Sequence, residues 1–188
     1  NGGSGIFSGS NLTISSGTIE TAQGGDGNAS GGMGIRSGGM LTISDNATIG
    51  TAKGGDGTAD DGTGGTGIYS AGRLFISGGE IQNATGGNGG SGGSGGSGIR
   101  GDYVVNISGG IIKNAEGTGG GAGIGGGHYA SGQTYITIRN ASVSSLESSA
   151  DSTNNPGAGI GSGKGAKGNT AIPMEGSKVQ TVGGNGAL

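Results

Sequence analysis

A chain of 188 residues in which 55 are glycine and only 11% are charged is long enough for one domain but poor in helix-forming residues. Two prolines exclude collagen in spite of the glycine, and the lack of cysteine excludes disulfides and thiolate metal sites. A formal charge of −3 argues against a nucleic-acid surface, and no apolar run in the segment approaches the roughly 20 residues that span a bilayer.

Apolar residues recur at matched positions, which separates this chain from disordered glycine-rich sequence. Gly-Ile dipeptides end at Ile6, Ile35, Ile68, Ile99, Ile124 and Ile160. A second isoleucine follows at Ile14, Ile43, Ile76, Ile107, Ile138 and Ile172, and a third aliphatic at Ile19, Ile49, Ile81, Ile112, Val143 and Val179. In the first four units the second position lies eight residues after the first. Repeats of this kind bury their apolar side chains only by stacking on their neighbours.

The runs Leu12-Thr13-Ile14-Ser15, Leu41-Thr42-Ile43-Ser44, Leu74-Phe75-Ile76-Ser77, Val105-Asn106-Ile107-Ser108 and Ile136-Thr137-Ile138-Arg139 alternate with period two and read as strands. Each unit offers three short strands separated by glycine turns. Stacking at about 4.8 Å per coil predicts three parallel sheets, and the handedness rule for parallel crossovers favours a right-handed coil. The predicted fold is an all-β, right-handed parallel β-helix (β-solenoid) of about six coils with glycine-rich side loops, residues 1–188 forming one repeat domain. Both ends fall in loop-like sequence, so the chain reads as a segment of a longer protein whose open edges admit end-to-end self-association.

Small polar residues Thr21, Thr51, Asn83, Asn114, Ser145 and Thr181 form a predicted corner column, followed by Ala22, Ala52, Ala84, Ala115, Leu146 and Val182. Such stacks usually serve as structural ladders. The run Gly89-Gly90-Ser91-Gly92-Gly93-Ser94-Gly95-Gly96-Ser97 has a strict period of three. It fits a flexible linker or a threefold, polyproline-II-like strand lying against similar segments of adjacent coils.

The strings Gly121-Ala122-Gly123-Ile124-Gly125-Gly126-Gly127, Gly157-Ala158-Gly159-Ile160-Gly161-Ser162-Gly163 and Ile107-Ser108-Gly109-Gly110-Ile111-Ile112 resemble glycine-rich β-helical repeats of large surface proteins from Gram-positive bacteria. They also look like secreted β-helical carbohydrate-binding domains related in fold to pectate lyases. The resemblance implies an extracellular or cell-surface location and a link to polysaccharide, and it carries no catalytic residue onto this chain.

The outward residue after each Gly-Ile reads Phe7, Arg36, Tyr69 and Arg100, then Gly125 and Gly161. On neighbouring coils the first four make an aromatic and basic stripe, suited to stiffening the sheet by cation–π contact or to holding an acidic sugar. Beside it the fifth repeat inserts a loop carrying His128 and Tyr129, with Lys164 and Lys167 at nearby positions of the sixth. Asp26 and Asp56 sit in register after Gly-Gly pairs, with Asp60 and Asp61 close by, and must be solvated, splayed or bridged by a cation such as calcium.

Glu20 and Glu80 fall two coils apart on one strand face, the spacing a glycosidase pair would need, but neither has a local signature. Thr13/Ser15, Thr42/Ser44 and Thr137 suggest an ice-binding face, interrupted by Phe75, Asn106 and Arg139. Six Asn-x-Ser/Thr triplets occur in a chain rich in Ser and Thr and say little about glycosylation. The functional expectation is a non-catalytic spacer or adhesive module contacting glycan or another protein. The alternative is a binding domain for acidic polysaccharide, ahead of a polysaccharide-degrading enzyme or an ice-binding protein.

Overall fold

The computed structural model describes residues 1–125, 135–149, 157–161 and 173–180. These residues form a parallel β-solenoid without helices, in which four turns are described throughout and parts of a fifth and sixth continue the stack. The first sheet has six strands in chain order, Ile6–Ser8, Ile35–Ser37, Ile68–Ser70, Ile99–Gly101, Ile124–Gly125 and Ile160–Gly161. Its register places Ile6, Ile35, Ile68, Ile99, Ile124 and Ile160 in one inward column.

The three strand segments of each turn are present, but the second and third belong to a single 11-stranded sheet instead of two. In the third and fourth turns they run together as Arg73–Thr85 and Val104–Gly117. The bend is made by one left-handed residue per turn: Gly17, Asp45, Gly79, Gly110, Asn140 and Gly176, with φ between 50° and 85°. Gly, Asp and Asn reach that region at least cost, so the chain turns the corner while pairing continues on both sides of it. The ladder pays for the bend only with register shifts around Gly109.

The third-aliphatic column pairs as predicted, from Ile19 through Ile49, Ile81, Ile112 and Val143 to Val179. The second column differs at its last member: Ile138 pairs with Met174, not with Ile172, which lies outside the described residues. Met174 is 51% exposed, whereas the matching Ile43, Ile76, Ile107 and Ile138 are buried by turns on either side. Each such isoleucine contributes about 1.5–3 kcal/mol of burial. The corner between the two sheets is closed by serine: Ser37 Oγ donates to Ser10 O at 2.8 Å and Met40 O at 3.0 Å, and Ser70 Oγ to Gly39 O at 2.8 Å and Arg73 O at 3.0 Å.

The glycine segments form a second ordered layer. Each turn leaves the second sheet along an outgoing limb and comes back to the first sheet along a returning limb. A main-chain relay crosses between them at every turn. Gly25 N donates to Gly3 O, Gly32 N to Gly25 O, Gly55 N to Gly32 O, and Gly65 N to Gly55 O, each at 2.8 Å. It continues with Gly87 N to Gly65 O, Gly96 N to Gly87 O, Thr118 N to Gly96 O and Gly121 N to Thr118 O, at 2.8–2.9 Å. The run Gly89–Ser97 is therefore hydrogen-bonded and not a linker, but only its second half is a threefold strand: the chain turns at Ser91-Gly92, where Gly93 N donates to Gly90 O at 3.0 Å, and then enters the returning limb. Its residues Ser94 and Ser97 accept from Gly64 N and Gly67 N one turn away, at 2.7 and 3.0 Å.

Except at Thr118, the relay positions are glycine, because inside the stack the spacing leaves no room for a side chain. A Cβ at Gly65 would lie 1.9 Å from Gly32 O, and one at Gly3 would meet nothing within 4 Å. Gly65→Ala is expected to lower the unfolding free energy by about 3 kcal/mol or more, the upper range for overpacking. Gly3→Ala should stay within roughly 1 kcal/mol of the parent. Paired denaturant melts of the two variants measure the difference.

Candidate functional site

The stripe expected from the sequence is present on the outer face of the first sheet. Phe7 pairs with Arg36, Arg36 with Tyr69, and Tyr69 with Arg100 on successive turns. Alternation along each strand sends these residues outward because the flanking isoleucines point in. The Arg36 guanidinium lies 5.4 Å from the Phe7 ring centroid, and that of Arg100 lies 5.5 Å from Tyr69. Below them the column continues with Gly125 and Gly161, which pair with each other and carry no side chain to extend it.

The two halves of the stripe differ. At the lower end Asp102, two residues beyond Arg100, receives the Tyr69 hydroxyl at 2.6 Å and faces Arg100 Nη2 at 2.8 Å. Burial, then the hydrogen bond and charge of Asp102, push the Tyr69 phenol up to about 12. Arg100 and Tyr69 are thus engaged with the protein itself. At the upper end Phe7 is 61% exposed, and among the described residues no carboxylate lies within ion-pair distance of Arg36. Asp102 was missed in the sequence. The signal was Arg100-Gly101-Asp102, an i, i+2 pair that an extended chain puts on one side.

Asp26 and Asp56 lie at equivalent places on the outgoing limbs and cap main-chain amides. Asp26 Oδ1 accepts from Asp56 N at 2.8 Å, and Asp56 Oδ1 from Asn88 N at 2.7 Å. The cause is threefold geometry, which turns successive amides by about 120°. In the second turn Gly54 N donates to Thr85 O of the next turn and Gly55 N to Gly32 O of the other limb, while Asp56 N points away from both. The preceding turn's aspartate satisfies that outward donor. In the fourth turn the acceptor comes from the following turn instead, Gly119 N donating to Ser149 Oγ at 3.3 Å. Among the described residues no cluster of three or more His, Cys, Asp or Glu is placed to hold a metal ion.

The carboxylate pair suggested for hydrolysis is not formed. Glu80 aligns with Thr48, and through it with Thr18, two residues before Glu20 in the strand. The column Ile19–Ile49–Ile81 shows why: Glu20 follows its isoleucine, whereas Glu80 precedes Ile81. Its carboxylate lies 2.6 Å from Lys113 Nζ, and that hydrogen bond holds it below the usual carboxylate range. A different pair is stacked instead, Glu116 on Glu147. Burial, then the Glu147 charge, raises the Glu116 carboxyl.

The Thr13 and Thr42 column continues through Phe75, Asn106 and Thr137, as the sequence indicated. Asn83 Nδ2 in the corner column donates to Gly50 O at 3.4 Å, a main-chain contact and not a side-chain ladder. His128, Tyr129, Lys164, Lys167, Thr181 and Val182 lie outside the described residues. No helix among the described residues is long and apolar enough to cross a membrane. No family profile, curated protein or solved structure matches the chain.

Two measurements follow from these geometries. Asp26→Ala strips the acceptor from the Asp56 amide and is expected to cost about 1 kcal/mol, with Asp26→Asn closer to the parent, by chemical denaturation. The raised Glu116 titration disfavours the charged carboxylate in the fold. Its contribution to stability therefore grows as pH falls through the raised value and is complete below the ordinary carboxylate pKa. Glu116→Gln should melt higher than the parent at neutral pH, and the gap should close in acid.

Proposed function

We propose that this chain is a non-catalytic repeat module of a bacterial surface or secreted protein, a rigid spacer whose sides serve in adhesion. The observation that carries this reading is the glycine relay, which ties both limbs of every fully described turn to the next at 2.8–2.9 Å. Together with the buried isoleucine columns it joins each turn to its neighbour through side chains on one flank and main chain on the other. A solenoid so bonded transmits force along its axis through many parallel hydrogen bonds. The surface location rests on the resemblance of the glycine-rich repeats.

A second reading is favoured by one feature. Arg36 over Phe7 offers a cation with no carboxylate partner among the described residues, beside an exposed aromatic face, which suits an acidic polysaccharide. Single-molecule pulling between the two ends separates a rigid rod from a compliant chain. The spacer reading expects resistance with turn-sized or cooperative rupture, and smooth low-force extension would sink it. Calorimetry with a polyuronate decides the second reading, which expects heat of binding that Arg36→Ala abolishes. Release of reducing ends from any polysaccharide would overturn both.

A further inference from the structure

Beside the stripe, on the outer face of the returning limbs, lies a groove of about 280 Å³. Its walls include Ser30, Met33, Thr63, Thr66 and Arg100. The outward amides here follow the same threefold rule as those of the outgoing limb, but with a different outcome. Gly31 N donates to Thr63 O of the next turn and Gly32 N to Gly25 O of the other limb, so the amide of Met33 points outward. One turn on, Gly64 N takes Ser94 O and Gly65 N takes Gly55 O, so the amide of Thr66 points the same way.

On the outgoing limb the corresponding amides of Asp56 and Asn88 are each capped by an aspartate carboxylate. Among the described residues the amides of Met33 and Thr66 have no acceptor, although Thr66 is only 4% exposed. A third donor adjoins them. Asp102 occupies the Nη2 edge of Arg100, while Arg100 Nε is shielded from solvent and has no partner among the described residues. Buried donors left in this condition cost free energy that an incoming acceptor recovers.

We propose that this groove binds a small hydroxycarboxylate. The carboxylate takes the place at Met33 N, Thr66 N and Arg100 Nε that Asp26 and Asp56 fill on the opposite limb. The hydroxyls of Ser30 and Thr63, whose Oγ atoms lie 3.0 Å apart, face the ligand's own hydroxyls. The volume is below the range of drug-sized pockets and fits a ligand of about one sugar unit. This site is separate from the exposed Phe7–Arg36 end of the stripe and does not depend on the spacer reading.

The test is titration of gluconate into the isotope-labelled full chain, followed at the amide signals of Met33 and Thr66 and the Nε–H signal of Arg100. Glucose serves as the neutral probe and sulfate as the inorganic anion. Saturable shifts at those three donors with gluconate, absent with glucose, are the expected result. Arg100→Lys keeps the charge but lacks the Nε donor and should weaken binding about tenfold or more, while Arg36→Gln leaves it unchanged. Equal responses to gluconate and glucose, or full affinity in Arg100→Lys, would overturn the site. Sulfate moving the same signals as strongly would overturn its assignment to a hydroxycarboxylate.

Discussion

The main-chain hydrogen bond from an amide on one limb to a carbonyl on the other, glycine to glycine except at Thr118, is the constraint on which this molecule depends. Every fully described turn contains it, and it sets how closely the two limbs approach. At that distance a single Cβ would fall about 2 Å from a carbonyl oxygen, as at Gly65 and Gly87. The composition follows from this contact. A conventional solenoid fills its interior with side chains on every wall, whereas this one does so only where the two sheets face each other. On the limb side the filling is backbone, and glycine's loss of entropy on ordering is offset by hydrogen bonds that nearly every limb residue makes.

The same contact dictates where side chains can stand. A threefold strand in a two-layer bundle gives one residue to the next turn, one to the opposite limb and one to the outside. The sequence records this as Gly-Gly-x: Gly24-Gly25-Asp26, Gly54-Gly55-Asp56 and Gly86-Gly87-Asn88 on the outgoing limbs, and Gly31-Gly32-Met33, Gly64-Gly65-Thr66 and Gly95-Gly96-Ser97 on the returning ones. The x positions are the exceptions to glycine, and they are also where main-chain donors point away from the bundle. Asp26 and Asp56 are explained by that coincidence. Their carboxylates are close in sequence register because each serves the amide one turn along, and stacking them needs no bridging cation.

The isoleucine columns were legible because a period-two alternation flanked by glycine has few other meanings, and so the Phe7–Arg36–Tyr69–Arg100 stripe could be placed by register alone. Two kinds of feature escaped. Exact positions within a column escaped where the aliphatic spacing changes: Glu80 precedes Ile81 where Glu20 follows Ile19, and the second column ends at Met174, two residues beyond Ile172. Partnerships between chemically ordinary residues escaped as well. Asp102 has no motif, and only the strand's alternation brings it to Arg100 and Tyr69.

Those partnerships change how the stripe is understood. Four alternating aromatic and basic residues look like one continuous surface, yet Asp102 divides them into a lower half tied to that carboxylate and an upper half without one. A cation already facing a carboxylate at 2.8 Å gains less from a second anion on the same edge, so Arg100 contributes to recognition only through its Nε edge. Arg36 stacks on Phe7 and meets no carboxylate among the described residues. The two arginines, equivalent in the repeat and adjacent but one in the column, are therefore not equivalent as chemistry. A repeat architecture fixes position turn after turn, and a single unrepeated neighbour decides what each position can do.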